Sequence, residues 1–120
     1  GLNESYLKRN PNTLSDGEMR KVAIASVLAY NPKVIMLDEP TVGLDIMIYE
    51  VLLKMIKDFA SFGKTVFITS HNIDLVSKIC DKVAIVNDGK VVQLIDFNEE
   101  PYKRRELSRI FFKTYGDYNQ

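Results

Sequence analysis

The sequence predicts an α/β fold, in which a mostly parallel sheet is flanked by helices and followed by a C-terminal hairpin and helix. Three short apolar runs, "VIML", "TVFIT" and "KVAIV", have the length of buried strands, and helical patterns separate them. Strands that alternate with helices favour parallel pairing through right-handed crossovers. The turn "NDGK" after the third run predicts a hairpin into "VVQLI".

Two longer helices follow from residue spacing. "SDGEMRKVAIASVLAY" begins with Ser15 and Glu18 at capping-box spacing, and Asn31-Pro32 should end it. Gly63 can close the second helix. The apolar residues of the second helix recur at helical intervals and form one stripe: Ile48, Leu52, Met55, Ile56 and Phe59.

The remaining elements are shorter or less regular. "VIML" does not alternate between apolar and polar residues, so we expect a strand buried on both faces. A short helix is expected over about residues 72–80, and a last helix over about 101–114. That last helix places three apolar residues on one side: Leu107, Ile110 and Phe111. Its basic residues could face a membrane, but a solvated helix face is the favoured explanation.

Composition excludes several classes of protein. Among the 120 residues, 16 basic residues balance 16 acidic ones, so no nucleic-acid partner is expected. Cys80 is the one cysteine and cannot form an internal disulfide. No apolar run reaches the roughly 18 residues of a membrane span. We expect a soluble, intracellular protein, and Gly at residue 1 is typical of a fragment.

Polar side chains follow two of the predicted strands. Asp38 and Glu39 come directly after "VIML", and Ser70-His71-Asn72 follows "TVFIT". In parallel sheets the ligand site lies beyond the carboxyl ends of the strands, so these groups should face one crevice. Taken singly, the carboxylate pair is also compatible with a solvated loop, and His71 with a helix cap.

Three motifs in this order and spacing resemble the C-terminal half of an ATP-binding cassette (ABC) ATPase. They are "LSDGE", "VIMLDEPTVGLD" and "TSHN", which resemble the signature motif, the Walker B strand with its D-loop, and the switch histidine. The resemblance covers about residues 1–95. The segments "GLNESYLKRNP" and "VAIASVLAYNP" look most like the ATPases of energy-coupling-factor importers. The resemblance implies a partial P-loop NTPase-type sheet.

The resemblance also implies a chemistry for each residue. ATP hydrolysis needs Mg²⁺ to offset phosphate charge and a group that orients or deprotonates water. Asp38 is expected to hold Mg²⁺, through a coordinated water, and Glu39 is expected to be the base. His71 would contact the γ-phosphate. Asp45 of the D-loop is expected at the nucleotide.

The resemblance implies that the signature motif binds ATP held by a second ATPase domain. A helix N-terminus attracts phosphate, which suits this role. Ser15 and Gly17 would present a hydroxyl and backbone to it, and a plain capping box is compatible with the same role. The sequence departs from the family at Asp16 and Glu18, where Gly and Gln are usual, and at Ile46, where Pro is common. The five matched residues are Leu14, Ser15, Asp16, Gly17 and Glu18.

The P-loop that cradles ATP phosphates is missing. The nearest match, "DFASFGKT", has Asp58 where the first glycine must be, and it closes a helix instead of opening one. We therefore expect residues 1–97 to be the C-terminal part of a nucleotide-binding domain and 98–120 a helical tail. The chain alone should be inactive, and its parallel strands should expose apolar surface.

The expected function is part of an ATPase that powers solute transport through ATP-driven dimerisation. Its expected partners are a second ABC ATPase domain and transmembrane transporter subunits, which would hold it at the inner face of the cell membrane. Two alternatives remain open: a fragment of a non-transport ABC ATPase, and a non-catalytic remnant that pairs with a complete cassette.

Overall fold

The computed structural model describes residues 16–118, which form two compact units divided between Thr69 and Ser70. Each unit contains helices and a two-stranded sheet. The first unit comprises α1 (Asp16–Ala29), β1 (Val34–Asp38), α2 (Ile46–Ser61) and β2 (Thr65–Thr69). The second comprises α3 (Ile73–Ile79), β3 (Lys82–Asn87), β4 (Lys90–Asp96), α4 (Tyr102–Arg105) and α5 (Leu107–Tyr118).

In the first unit, β1 and β2 are parallel and α2 connects them, as the sequence predicts. The register runs from Val34 opposite Thr65 to Asp38 opposite Thr69, so both strands end together. The predicted apolar stripe of α2 is largely buried, and its centre, Leu52, has no exposed surface. Gly63 ends the helix in the left-handed region at φ 79°, with its amide 3.1 Å from Ala60 O.

The burial of β1 differs from the prediction. Ile35 is 4% exposed but Met36 is 81% exposed, so the strand alternates between a covered and an open face. The reason is physical: a strand is buried on both faces only when structure lies on both sides of its sheet. Within residues 16–118 one face of β1 is open. The expected exposure of apolar surface is therefore confirmed.

Helix α1 ends as the sequence predicts. Asn31 adopts the left-handed conformation at φ 51°, and its amide donates to Leu28 O at 2.9 Å. Although the helix is rich in apolar residues, only Ile24 is buried among its described side chains. Ser15, the predicted cap, lies outside the described residues.

In the second unit, β3 and β4 form the predicted hairpin. Asp88 and Gly89 at its tip both have positive φ, at 51° and 72°, as two-residue hairpin turns require. The prediction that β3 continues the parallel sheet is wrong for the described residues, because β3 pairs with β4 in a separate antiparallel sheet. A two-residue turn brings β4 beside β3 without a long crossover.

The C-terminal tail packs on this hairpin. The predicted last helix is two helices, α4 and α5, separated at Glu106. Leu107 joins the core of the second unit, and Ile110 and Phe111 pack against it, as the predicted apolar side requires. The functional division into residues 1–97 and 98–120 stays a prediction. Among the described helices none is long and apolar enough to cross a membrane.

Candidate active site

Asp38 and Thr69 end the two parallel strands side by side. They are Cα partners in the register, and the Thr69 hydroxyl donates a hydrogen bond to Asp38 Oδ1. Both side chains are exposed. The sheet therefore presents an oriented carboxylate at its carboxyl edge, the edge where parallel α/β sheets bind ligands.

Glu39 follows in an unusual backbone conformation. Its φ is 47°, in the left-handed region that costs a non-glycine residue about 1–2 kcal/mol. Its amide donates to Thr69 O at 2.7 Å, and its side chain is half-buried. The turn from extended to left-handed backbone thus begins at the second carboxylate, and β2 holds it there. Such strain is concentrated at functional sites.

The turn from Glu39 to α2 contains two long backbone hydrogen bonds. The amide of Val42 lies 3.4 Å from Glu39 O, and that of Leu44 lies 3.4 Å from Thr41 O. Asp45 ends the turn as the N-cap of α2, and its Oδ1 accepts from the Ile48 amide at 3.0 Å. This capping contact is a structural role for Asp45, whose predicted place at the nucleotide stays a prediction.

The start of α1 contacts this turn. A Cβ added at Gly17 would lie 3.1 Å from Leu44 Cδ2, so the glycine permits a close approach. Arg20 Nη1 donates to Val42 O and lies 3.4 Å from Pro40 O. Sequence reasoning missed Arg20, although its spacing of three residues from Gly17 puts both on one helix face.

The signature residues are only partly described. Asp16 is exposed as the first residue of α1, and Glu18 is half-buried and is not without an interaction. Leu14 and Ser15 lie outside the described residues. Binding of nucleotide by this segment stays a prediction.

His71 lies in the second unit, in a turn fixed on both sides. The Asn72 amide donates to Ser70 Oγ at 2.9 Å, and Asn72 caps α3 by accepting from the Leu75 amide at 3.0 Å. The N-cap of α3 is therefore Asn72, and the exposed His71 precedes it and has an interaction of its own. A shared crevice of His71 with Asp38 and Glu39 stays a prediction.

Asp38 suits a Mg²⁺ ion that is held jointly with phosphate. Within residues 16–118 no group of three or more His, Cys, Asp or Glu side chains could hold a metal ion. Mg²⁺ usually keeps several waters and is held by one or two carboxylates together with substrate phosphates. Asp38, exposed and oriented by Thr69, suits that mode of binding.

Comparisons with known proteins identify the family of the chain. A family model described as "ABC transporter" matches residues 1–42. The energy-coupling factor transporter ATP-binding protein EcfA2 of Mycoplasma pneumoniae is 39% identical over 103 residues, which is 86% of this chain and 33% of the relative. The corresponding EcfA of Methanocaldococcus jannaschii is 41% identical over 90 residues, covering 75% of this chain and 32% of the relative.

Solved structures show the same fold. The ATP-binding cassette MJ0796, in a dimeric post-hydrolysis state bound to ADP and Pi, matches with a TM-score of 0.69 and 33% identity. That match covers 79% of this chain and 41% of the cassette. The cassette cbiO1 of Clostridium perfringens matches with a TM-score of 0.62 and 38% identity, over 80% of this chain and 38% of that one.

The fold is that of ATP-binding cassettes, which have the P-loop NTPase fold. The chain belongs to the family of ABC-transporter ATP-binding proteins and is similar to the C-terminal half of those of the energy-coupling-factor type. It spans about a third of the length of these curated relatives, 33% and 32% of the two given above.

Proposed function

We propose that this segment supplies the hydrolytic carboxylates of an ABC ATPase. Asp38 holds the Mg²⁺ that accompanies ATP, and Glu39 accepts the proton of the attacking water. The supporting observation is the paired ending of β1 and β2, where Thr69 orients Asp38 and holds the backbone of Glu39. Bound Mg²⁺ offsets the phosphate charge as the terminal phosphoryl group is transferred.

The two carboxylates have different surroundings, which suits different tasks. The Thr69 hydroxyl occupies Asp38 Oδ1 and fixes the carboxylate at the sheet edge. Glu39 is half-buried on a left-handed backbone, one residue beyond the strand. A general base must be positioned before its basicity can help, and the hydrogen bond from the Glu39 amide to Thr69 O supplies that position.

A complete site requires groups from elsewhere. His71 contacts the γ-phosphate in this proposal, and residues 14–18 bind the ATP held by a second ATPase domain. The chain matches a cassette solved as a dimer, which supports pairing of two domains. ATP binding drives that pairing, and hydrolysis releases it.

The relatives suggest the larger assembly. Their names describe ATP-binding proteins of energy-coupling factor transporters. In the corresponding assembly, transmembrane subunits carry the solute and hold this ATPase at the inner face of the cell membrane. The balanced charge, 16 basic against 16 acidic residues, supports a protein partner in preference to nucleic acid.

The experiment is Glu39→Gln in the full-length protein that carries this segment. The amide keeps the shape of the side chain but cannot accept the proton, so turnover should fall by about 10²–10⁴-fold while ATP still binds. The dimer bound to ATP should accumulate in size-exclusion chromatography with Mg²⁺ and ATP. The exposed Glu99→Gln is the control, and its ATPase rate should equal that of the unmodified protein.

Asp38→Asn should give a different result, because it weakens Mg²⁺-dependent binding of ATP itself. Near-normal turnover in Glu39→Gln would contradict the assignment of the base. An ATPase rate of zero in the unmodified protein would favour the alternative function, a non-catalytic remnant that only pairs with a complete cassette. The 120-residue chain alone should show no saturable heat of binding with Mg²⁺ and ATP, since it has no phosphate cradle.

A further inference from the structure

Arg20 connects helix α1 to the turn that follows Glu39. Its Nη1 donates to Val42 O and lies 3.4 Å from Pro40 O. Both acceptors are backbone carbonyls of the segment between the two carboxylates and Asp45. Hydrogen bonds from a charged donor are roughly twice as strong as those between neutral groups. The guanidinium is therefore a strong attachment for this segment.

Two backbone hydrogen bonds within the turn are long, each 3.4 Å from amide nitrogen to carbonyl oxygen, so contacts from other elements add to its hold. Glu39 is held at a positive φ, which persists only where surrounding structure over-determines it. Thr69 O fixes the Glu39 amide on one side of the turn, and Arg20 fixes the carbonyls that follow it.

We propose that Arg20 is a positioning residue for the carboxylate of Glu39. It acts through the backbone of residues 40–42 and holds Glu39 in the conformation that hydrolysis requires. The inference rests on the proposed function and deepens it, because it names a residue on α1 that controls the geometry of the base. A purely structural Arg20 would fasten α1 to the first unit with no effect specific to hydrolysis.

The test compares Arg20→Met, Arg20→Lys and Lys21→Met in the full-length protein. Arg20→Met removes the donors but keeps an unbranched side chain, whereas Lys21→Met removes the neighbouring charge of the same helix. Displacement of a reacting group by 1 Å can cost about 10²-fold, so Arg20→Met should lower kcat by about ten- to a hundredfold. The KM for ATP and the Tm should stay close to those of Lys21→Met.

Arg20→Lys should recover part of the lost kcat, because an ammonium group can still donate to one of the two carbonyls. Deuterium exchange gives a readout independent of activity. The peptide covering residues 38–45 should exchange about tenfold faster in Arg20→Met than in Lys21→Met, while peptides from α2 are unchanged.

Two results would overturn the inference: a kcat equal to that of Lys21→Met, or a parallel fall of kcat, ATP affinity and Tm without recovery by lysine. If the unmodified protein hydrolyses no ATP, the proposed function fails on its own. Deuterium exchange then still tests whether Arg20 positions the turn. Faster exchange of residues 38–45 in Arg20→Met than in Lys21→Met supports that role, and equal exchange refutes it.

Discussion

The Thr69 hydroxyl donates to Asp38 Oδ1 across the ends of two parallel strands. The pairing follows from the register, which places the two residues opposite each other as the last positions of β1 and β2. Thr69 thus orients Asp38, the carboxylate proposed to hold Mg²⁺, and is not itself proposed to contact the metal. Partners of this kind typically change metal affinity by 10- to 100-fold when they are removed, to order of magnitude.

Thr69→Val in the full-length protein should therefore weaken Mg²⁺-dependent binding of ATP by about tenfold. Valine keeps the β-branched shape that suits a strand but cannot donate to Asp38. Calorimetric titration with ATP, with and without Mg²⁺, measures the effect. Thr69→Ser keeps the hydroxyl and should bind nearly as the unmodified protein does.

Thr65→Val is the matched control, because Thr65 is also exposed and lies at the opposite end of β2 from Thr69. It should leave binding unchanged. Equal affinities for Thr69→Val and Thr65→Val would show that the hydrogen bond to Asp38 does not orient a ligand of Mg²⁺.

The sequence predicted those parts of the fold that depend on local patterns. The stripe of α2, its closure at Gly63 and the hairpin at Asp88-Gly89 are each encoded within a few residues, and all are found. Only the extension of the parallel sheet to β3 is not found among residues 16–118, because a neighbour for β3 in that sheet would lie far away in sequence, whereas its hairpin partner β4 lies next to it. The predicted burial of β1 on both faces is wrong for Met36, because a second buried face requires a layer that residues 16–118 do not supply.

In the candidate site, too, the local features could be predicted and the contacts between distant residues could not. Asp38 and Glu39 stand out in sequence as adjacent carboxylates after an apolar run. The contacts that organise them come from Thr69 and Arg20, 31 and 20 residues away from their respective partners Asp38 and Pro40. No short motif encodes contacts between residues so far apart, so these two contacts could not be predicted from the sequence.

A second prediction concerns the close approach at Gly17. A Cβ there would lie 3.1 Å from Leu44 Cδ2 and 3.5 Å from Ile48 Cγ2. Gly17→Val should therefore force these side chains apart and lower the free energy of unfolding of the full-length protein by about 1–3 kcal/mol. Urea denaturation measures the change.

Gly116→Val is the control for this substitution, because a Cβ at Gly116 on α5 meets nothing within 4 Å. It should cause no loss, since valine has a higher helix propensity than glycine. Equal effects at the two glycines would show that packing against Leu44 does not constrain α1.

A third prediction concerns the reactivity of Cys80, which follows α3. Burial raises the pKa of the Cys80 thiol, the negative charge of Asp81 raises the same pKa further, and Arg104 opposes both. Since the thiolate is the nucleophile, a raised pKa leaves less of it at neutral pH. Iodoacetamide should therefore modify Cys80 more slowly in the folded protein than in urea, and the rate should rise as the pH approaches that pKa.

Asp81→Asn removes one cause of the raised pKa, so alkylation of the folded protein at pH 8 should become faster. Asp88→Asn is its control, because that residue lies at the exposed hairpin tip. Asparagine tolerates the positive φ found there. Equal alkylation rates in folded and urea-treated protein would contradict the raised pKa.

The last prediction starts from the open face of the parallel sheet. Met36 and Phe67 are register partners on that face, 81% and 60% exposed, and Val34 beside them is 51% exposed. Contiguous apolar surface of this kind drives association, and two short parallel strands leave unpaired edges as well.

The 120-residue chain alone should therefore self-associate, and Met36→Lys should reduce the association by placing a charge in the middle of the apolar face. Met47→Lys on α2 is the matched control, because Met47 is equally exposed, at 77%, but lies outside the sheet. Light scattering after size-exclusion chromatography at increasing concentration gives the mass of each variant. A monomeric unmodified chain, or an equal effect of the two substitutions, would show that the open face does not drive association.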